Sequence, residues 1–197
     1  MAGVRAAFRL VAGLGNVGAR YAGTRHNAGF WYADGVAERL HGAFRADRKA
    51  HGELARVSAG GRDVRLLKPT TLMNRSGQAV AAVARFHKIP PGAVLVAHDD
   101  LDLPPGTVRI KHGGGHGGHN GLRDIAAQLG SPDFWRLRIG VGHPGQREGV
   151  IDYVLQKPSP EDRRAIDAAI ERALDETDRL IGDGDVEGAM HVLHTGA

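Results

Sequence analysis

Short apolar runs alternate with segments of helical periodicity along most of this chain. The apolar runs have the length of buried strands and include FRLVAGL at 8–14, AVLVA at 93–97 and WRLRIG at 135–140. Apolar residues at helical spacing occur at 30–42, 122–130 and 159–184. Such alternation is typical of α/β proteins. We predict one α/β domain over residues 1–197, in which helices flank a twisted, mixed and largely parallel β-sheet.

The composition excludes several classes of protein. The chain of 197 residues has no cysteine, which rules out disulfides, thiolate nucleophiles and cysteine-based zinc sites and makes the cytosol the expected compartment. Its longest apolar runs are far shorter than a membrane span. Residues 1–8 hold no apolar stretch of the kind that a secretory signal needs. We therefore predict a cytoplasmic protein without a membrane segment.

Charge is distributed unevenly. Residues 1–157 carry 22 Lys and Arg against 12 Asp and Glu, a net charge of +10, whereas residues 158–197 have a net charge of −6. A basic body attracts polyanions, and neutralisation of phosphates supplies much of the affinity for nucleic acid. The pattern therefore favours a nucleic-acid partner. An arginine excess that reflects codon usage on a solvated surface would give the same composition.

The segment GLGNVG at 13–18 has the G-x-G-x-x-G pattern of a dinucleotide-binding turn. In that turn a helix begins inside the glycine motif and points its N–H groups at a pyrophosphate. Residues 19–27 carry no apolar helical stripe, so the next helix begins too late for this role. The segment favours instead a tight loop that brings Asn16 and His26 to one edge of the sheet.

Polar side chains concentrate in four loops that follow predicted strands, at 13–27, 68–75, 98–106 and 112–121. The carboxyl ends of parallel strands share one edge of a sheet, so we expect all four loops on that edge. Their polar and functional side chains are Asn16, Tyr21, His26, Lys68, Met73, Asn74, Asp99, Asp100, Asp102, Lys111, His119 and Asn120.

This set of residue types suits hydrolysis by water. Imidazole is the side chain best matched to proton transfer near neutral pH, and a carboxylate can orient it. Carboxamides can donate to a developing oxyanion. None of the four serines lies in a G-x-S-x-G elbow and cysteine is absent, so we expect no covalent acyl intermediate. A His–Asp pair without a nucleophile indicates attack by water on an activated bond such as an ester.

Other interpretations of the same residues are open at this point. His112, His116 and His119 have the spacing of metal ligands on one helix face, but the five glycines between them argue against a helix. The aspartates of DDLDL resemble a cation site but lack the EF-hand pattern. Asn27 and Asn74 precede predicted helices and could act as helix caps.

Four long segments of the chain form a distinctive set. They are VAGLGNVGARYAGTRHNAGF at 11–30, KPTTLMNRSG at 68–77, HDDLDLPPGTVRIKHGGGHGGHNGLRDI at 98–125 and FWRLRIGVGHP at 134–144. In this order and spacing they resemble the signatures of the bacterial peptidyl-tRNA hydrolase family. The resemblance spans nearly the whole chain and is loose only after residue 157.

The resemblance implies a cytoplasmic, monomeric α/β hydrolase that cleaves the ester between a peptide and the terminal ribose of tRNA. Its partner would be tRNA, with no membrane association and no obligate protein partner. It also implies no metal and no organic cofactor.

The resemblance further implies roles for individual residues in catalysis. His26 matches the base that activates water, and Asp99 matches its orienting partner. Asn16, Asn74 and Asn120 match amides that position the substrate and stabilise the oxyanion. Asn16 joins the catalytic set, and the division of roles among the three amides is left open.

Other matches concern substrate binding. Tyr21, Met73 and His119 match residues that line the site for the peptide and the terminal adenosine, although a methionine is equally suited to filling a core. Lys111 and Arg138 match the basic pair that reads the 5′-phosphate of tRNA.

Two positions depart from the family pattern. Val17 stands where the family usually has proline, which predicts a slightly looser loop. Arg109 stands where lysine is common, and it would attract phosphate with a different geometry.

Two other functions are open. The main rival interpretation is a non-catalytic RNA-binding module with the same basic face, and a further one is a nucleotide or metal enzyme.

Overall fold

The computed structural model describes residues 3–196. Its strands are β1 (Leu10–Gly13), β2 (Arg45–Asp47), β3 (Gly52–Ala59), β4 (Arg62–Pro69), β5 (Val94–Asp100), β6 (Val108–His112) and β7 (Trp135–Gly140). Its α-helices are α1 (Ala28–Arg39), α2 (Ser76–Phe86), α3 (Asn120–Leu129), α4 (Val150–Val154), α5 (Pro160–Asp175) and α6 (Val186–Thr195). The strands form one sheet in the order β2-β3-β4-β1-β5-β7-β6.

The centre of the sheet is parallel. β4 pairs with β1, β1 with β5, and β5 with β7, all in parallel register. β2, β3 and β6 are antiparallel to their neighbours and lie towards the two edges. The predicted mixed, largely parallel sheet is therefore confirmed. A hairpin joins β3 and β4, where Gly60 and Gly61 turn with φ of 57° and 74°.

Helices cover both faces of the sheet. On β1, Val11 packs in a cluster with residues of α1, α5 and α6, whereas Leu10 and Ala12 pack with residues of α2 and α3. Successive strand residues point to opposite faces, so a strand covered on both sides needs apolar residues at every position. This double burial explains the uninterrupted apolar runs of β1 and of the first half of β5. The polar loops are left at the ends of the strands.

Helix α1 approaches the sheet unusually closely. A Cβ atom on Gly13 would lie 2.2 Å from the carbonyl oxygen of Gly29, and one on Gly29 would lie 2.4 Å from the carbonyl oxygen of Ala97. Glycine at both positions therefore lets the backbone of α1 touch β1 and β5. Because α1 begins only at Ala28, the glycine motif does not open a helix, and the prediction that the helix begins too late for a dinucleotide-binding turn is confirmed.

Strand β6 contradicts one part of the sequence prediction. It runs antiparallel to β7, with His112 opposite Trp135. Its carboxyl end therefore lies at the opposite end of the strands from the carboxyl end of β5. Grouping residues 112–121 with the other loops by the parallel-strand rule was therefore wrong. The glycine-rich loop, residues 113–118, instead runs back along the sheet and brings His119 to the predicted edge.

Smaller differences concern the ends of the chain and the short elements. β2 and α4 were not predicted. The long helix predicted over 159–184 ends at Asp175 and is followed by a π-helical segment, Asp178–Gly182. Ser159 caps this helix, since its hydroxyl accepts from the N–H of Asp162 at 3.1 Å. Within residues 3–196, no helix combines the length and apolarity needed to cross a bilayer.

Candidate active site

The first pair of the predicted site comes from two neighbouring elements. His26 lies in a short 3-10 turn, Arg25–Asn27, that leads into α1, and Asp99 is near the end of β5. Nδ1 of His26 lies 2.9 Å from both carboxylate oxygens of Asp99. Asp99 is 3% exposed, so the carboxylate is shielded from water and held against the imidazole. The structure therefore brings the predicted His–Asp pair into hydrogen-bond contact.

His119 contacts the same carboxylate. It is the N-cap of α3, where its Nδ1 accepts from the N–H groups of Gly121 and Leu122 at 3.1 and 3.3 Å. A nitrogen that accepts cannot carry the ring proton, so the proton of the neutral ring is on Nε2. That Nε2 lies 3.0 Å from Oδ1 of Asp99 and donates to it. This contact was not predicted: the sequence suggested a substrate-binding or metal-ligating role for His119, not a hydrogen bond to Asp99.

The electrostatics of this cluster favour an ionised carboxylate and a basic imidazole. Burial alone would raise the pKa of Asp99, but the charges and hydrogen bonds of His26 and His119 outweigh it and bring that pKa below its ordinary value. Burial tends to lower the pKa of His26, and Asp99 overcomes this and raises it above the ordinary value of 6.5. An ionised Asp99 accepts from Nδ1–H of His26, which leaves Nε2 of His26 as the free basic nitrogen.

A third histidine lies beneath the cluster. His98 is 3% exposed, its Nδ1 donates to the backbone carbonyl of Asp99 at 2.7 Å, and its ring packs edge-on against that of His119 at 5.2 Å. Burial, with the neighbouring His119, lowers the pKa of His98 to about 4. His98 therefore stays neutral near pH 7 and adds no competing charge.

The cluster has the residue types of a metal site but not the proton arrangement. Ligand atoms of His26, Asp99 and His119 lie within 4.8 Å of one another. A metal needs a lone pair on the ring nitrogen that faces it, and the α3 cap keeps a proton on Nε2 of His119. The three residues therefore form a hydrogen-bond network. Among residues 3–196, His112, His116 and His119 are not brought together as a ligand group: His112 packs on an indole ring, and His116 accepts from the N–H of Gly118.

Asn27 fixes the loop that contains Asn16, a role that was not predicted from the sequence. It was considered a helix cap, but its side chain makes no cap hydrogen bond to α1. Its Oδ1 instead accepts from the backbone N–H of Asn16 at 2.8 Å, and its Nδ2 donates to the backbone carbonyl of Asn16 at 2.9 Å. The buried amide thus fixes the glycine-containing loop beside His26. A cap interpretation looks equally good in the sequence because Asn suits both roles.

The three predicted amides occupy separate loops. Asn16 is half-buried, and Asn74 and Asn120 are exposed. Asn120 directly follows His119 as the first residue of α3, and Asn74 lies in the 3-10 turn before α2, without a side-chain cap bond to that helix. In residues 3–196 no hydrogen bond is found for the side-chain amides of these three residues, so they are available to a substrate.

The residues predicted to line the substrate site divide into two groups. Met73 is 7% exposed, and its sulfur lies 2.8 Å from where a Cβ on Gly121 would be, with the His119 ring 3.1 Å from the same point. The structure thus brings Met73 against His119, where it also packs in the core. Tyr21 is half-buried in the loop before His26, and the guanidinium of Arg20 lies 5.2 Å from its ring.

The predicted basic pair lies on one face of the sheet. Lys111 is opposite Arg136, and Arg109 is opposite Arg138, so all four cations share a face of the β6–β7 ladder. Lys111 and Arg138 are diagonal neighbours, a relationship that places backbones about 7–8 Å apart. Arg138 also donates from Nε to Asp100 at 2.7 Å. Because Asp100 pairs with Arg138 while Asp99 serves the histidines, the DDLDL segment does not form a shared cation site.

Arg25 was another residue without a predicted role. It is 7% exposed, its Nη1 donates to the carbonyl of Tyr153 at 3.0 Å, and its guanidinium stacks 3.8 Å from the centre of the Tyr153 ring. It therefore ties the turn that carries His26 to α4. Nothing local in the sequence indicates this contact, because α4 lies more than a hundred residues away.

Together these features define an α/β protein with a histidine–carboxylate acid–base site and amides beside it. The peptidyl-tRNA hydrolase family model matches residues 10–197. The chain belongs to the peptidyl-tRNA hydrolase family.

Individual relatives agree with this assignment. The peptidyl-tRNA hydrolase of Halorhodospira halophila is 57% identical over 98% of this chain and all of the relative, and that of Neisseria meningitidis is 52% identical over 95% of this chain and 97% of the relative. A crystal structure of peptidyl-tRNA hydrolase from Acinetobacter baumannii matches with a TM-score of 0.91 and 48% identity, covering 94% of each chain.

Proposed function

We propose that this chain hydrolyses the ester between the peptide and the tRNA of peptidyl-tRNA, with His26 as the base that activates water. Family membership and the names of the relatives support the substrate and the reaction. One observation carries the assignment of the base. Asp99 accepts from Nδ1 of His26 through both oxygens and leaves Nε2 of that ring free to take a proton.

The proposed reaction needs no covalent enzyme intermediate. Nε2 of His26 removes a proton from water as the oxygen bonds to the ester carbonyl carbon. The resulting imidazolium is stabilised by the ionised Asp99, while the carbonyl oxygen becomes an oxyanion. When the tetrahedral intermediate collapses, the bond to the ribose oxygen breaks and His26 returns its proton to that oxygen. The products are tRNA with a free hydroxyl group and the peptide carboxylic acid, which loses its proton to solvent near neutral pH.

The unbonded amides are the proposed oxyanion and substrate ligands. Asn16, Asn74 and Asn120 carry N–H donors that the protein itself does not use in the contacts described above. Asn120 stands next to His119, and Asn16 is fixed through Asn27 to the turn that carries His26. We assign Asn16 to catalysis and the other two to substrate positioning, with Tyr21 and Met73 lining the same site.

The substrate tRNA is proposed to bind across the β6–β7 face. Lys111 is exposed and Arg138 keeps a quarter of its side-chain surface open, so both can approach a phosphate. The net charge of +10 on residues 1–157 would draw a polyanion to this side of the molecule. A cytoplasmic location and a monomeric state remain predictions, and sedimentation of the full chain tests the second.

A single-turnover cleavage assay tests the proposed function. His26→Ala should cut the rate of ester cleavage on the order of a hundredfold or more, because general-base catalysis contributes that much. Affinity for peptidyl-tRNA should be nearly unchanged. His191→Ala, an exposed histidine on α6, is the matched control and should cleave normally. Cleavage by His26→Ala at a rate near that of the control would reject His26 as the base.

The same assay separates the rival function. A binding module that uses only the basic face would hold tRNA with salt-dependent affinity and release no peptide. Its specific support is the row of four cations on β6 and β7. The buried, ionised Asp99 with two imidazoles has no purpose in such a module, because phosphate binding gains nothing from a buried carboxylate.

A further inference from the structure

The glycine-rich loop crosses a long distance with little to hold it. Its start, after His112, is level with Leu95 of β5, because both residues align with Trp135. Its end, at His119, contacts Asp99. Four residues of β5 separate those two levels, which corresponds to about 13 Å at the usual strand rise. Five of the six residues in the loop are glycines, so side chains of the loop itself cannot anchor it.

One buried guanidinium donates hydrogen bonds to the first half of this loop. Arg136 on β7 is 3% exposed, and its Nη2 donates to the carbonyl oxygens of Gly114 at 2.9 Å and Pro132 at 3.2 Å. Its Nη1 donates to the carbonyl oxygen of Gly115. In residues 3–196 no carboxylate forms a salt bridge with Arg136, so carbonyl dipoles are what stabilise its charge.

The remaining contacts of the loop are few. Its first residue, Gly113, donates its N–H to the carbonyl of Phe134. His116 accepts from the N–H of Gly118 at its ring and from the N–H of His119 at its carbonyl. Four of the loop glycines have positive φ, so the backbone follows a path that only glycine adopts readily. Fixing a flexible path of this kind costs conformational entropy, and the two hydrogen bonds that Arg136 donates to Gly114 and Gly115 offset part of that cost.

We propose that Arg136 is a positioning residue for the reaction: it fixes the glycine-rich loop so that His119 can cap α3 and donate to Asp99. The proposal rests on the proposed function for its kinetic consequence. Arg136 belongs to the row of cations on the β6–β7 face, but its fork is already used by backbone carbonyls, so it is not a phosphate ligand. Lys111 and Arg138 keep that role.

A lysine substitution at Arg136 distinguishes a role of its hydrogen bonds to the loop, here called the clamp, from a role of its charge alone. Arg136→Lys keeps the positive charge but loses the planar fork that reaches two successive carbonyls. We expect it to lower the single-turnover cleavage rate by about tenfold or more, since charged hydrogen bonds contribute on that scale. Affinity for peptidyl-tRNA should stay within about twofold, because the guanidinium donates to backbone carbonyls of the protein and is not a substrate ligand. Arg123→Lys, on the exposed side of α3, is the matched control and should match the wild type.

Loss of affinity with an unchanged cleavage rate in Arg136→Lys would overturn the proposal and make Arg136 a substrate ligand. A wild-type rate with wild-type affinity would overturn it as well.

A double-mutant cycle tests the route through His119. His119→Asn keeps a side chain that caps helices well but cannot reach Asp99. If Arg136 acts through His119, adding Arg136→Lys to His119→Asn should lower the rate by less than about twofold further. Full multiplication of the two effects would show that Arg136 acts by another route and would overturn the proposal.

A structural readout keeps this proposal separate from the proposed function. The imidazole proton on Nε2 of His119 should give a slowly exchanging, downfield NMR signal in the wild-type chain. In Arg136→Lys it should broaden or vanish, while the Nδ1 proton of His26 stays visible. If both protons stay visible, the clamp proposal fails even when catalysis by His26 stands. If His26→Ala cleaves normally, the proposed base fails and this signal is unaffected.

Discussion

Oδ1 of Asp99 lies 2.9 Å from Nδ1 of His26 and 3.0 Å from Nε2 of His119, so one buried carboxylate serves two imidazoles. His26 lies in the 3-10 turn before α1 and His119 is the N-cap of α3, and the centres of the two rings lie 5.1 Å apart. Each donates a proton to Asp99, and each therefore lowers the pKa of the carboxyl group. An imidazolium formed on His26 during the reaction faces a carboxylate that the second ring keeps ionised and aligned.

Removal of the second imidazole should weaken catalysis without abolishing it. His119→Asn retains a cap for α3 but leaves Asp99 with one donor. Loss of a hydrogen bond to a charged group costs about 1.5–3 kcal/mol, which corresponds to a rate about ten- to a hundredfold lower if the bond persists in the transition state. Single-turnover cleavage measures the effect. A wild-type rate for His119→Asn would mean that Asp99 orients His26 unaided.

The pH dependence of cleavage should report the state of His26. The base is active only when neutral, and its pKa lies above 6.5 because Asp99 outweighs the effect of burial. The rate should therefore rise with pH through a midpoint above 6.5 and fall as pH drops below that midpoint. A pH–rate profile of kcat/KM, compared with the NMR titration of His26, checks this. A midpoint below 6.5 would contradict the assignment.

Asp99→Asn should change both the rate and its pH dependence. The substitution removes the charge that raises the pKa of His26 and leaves burial, which lowers it. The acidic limb of the profile should move to lower pH, and the rate on the plateau should fall at least on the order of a hundredfold, because an amide can accept at its oxygen but does not stabilise the imidazolium. Asp102→Asn, an exposed aspartate of the same segment, is the control. An unmoved acidic limb would assign it to another group.

Asn27 offers a test of loop fixation. Asn27→Ala removes two hydrogen bonds to the main chain of Asn16, one of which leaves a half-buried N–H without an acceptor. We expect the free energy of unfolding to fall by about 1–3 kcal/mol and the cleavage rate to fall more than affinity for tRNA. Urea unfolding and the cleavage assay measure these effects.

Asn27→Asp is the conservative comparison. It retains an oxygen that accepts from the N–H of Asn16 but replaces the donor with a buried carboxylate oxygen that faces the carbonyl oxygen of Asn16. It should therefore be less stable than the wild type at neutral pH and regain stability at lower pH, where the protonated carboxyl group can donate to the carbonyl of Asn16. Equal stability of all three proteins would show that the loop is held by other contacts.

Periodicity and turn chemistry sufficed for much of the fold. The double burial of β1 and β5 leaves continuous apolar runs, and Gly60-Gly61 marks the hairpin. β2 has three residues, and none is fully buried, so it has no pattern to find. The direction of β6 was missed for a different reason: strand patterning does not encode whether a strand runs parallel or antiparallel to its neighbour.

The candidate site was predictable in its residues but not in its connections. His26 and Asp99 stand out because a base and a carboxylate follow strands that end at one edge. The helix-cap role of His119 was hidden because Asn120, beside it, is the more typical cap residue. Arg136 looks like one of several exposed strand cations, and it is buried only because the glycine-rich loop returns over it. Contacts of that kind depend on the path of a distant segment.

The direct backbone contact between α1 and the strands at Gly13 and Gly29 has a consequence for how the enzyme can diverge. No side chain separates the helix that follows His26 from the strand that carries Asp99. Substitutions of apolar residues elsewhere in the interior therefore do not change the spacing between this helix and this strand. Relatives can therefore vary the size of most interior side chains while the distance between the proton acceptor and its carboxylate stays constant.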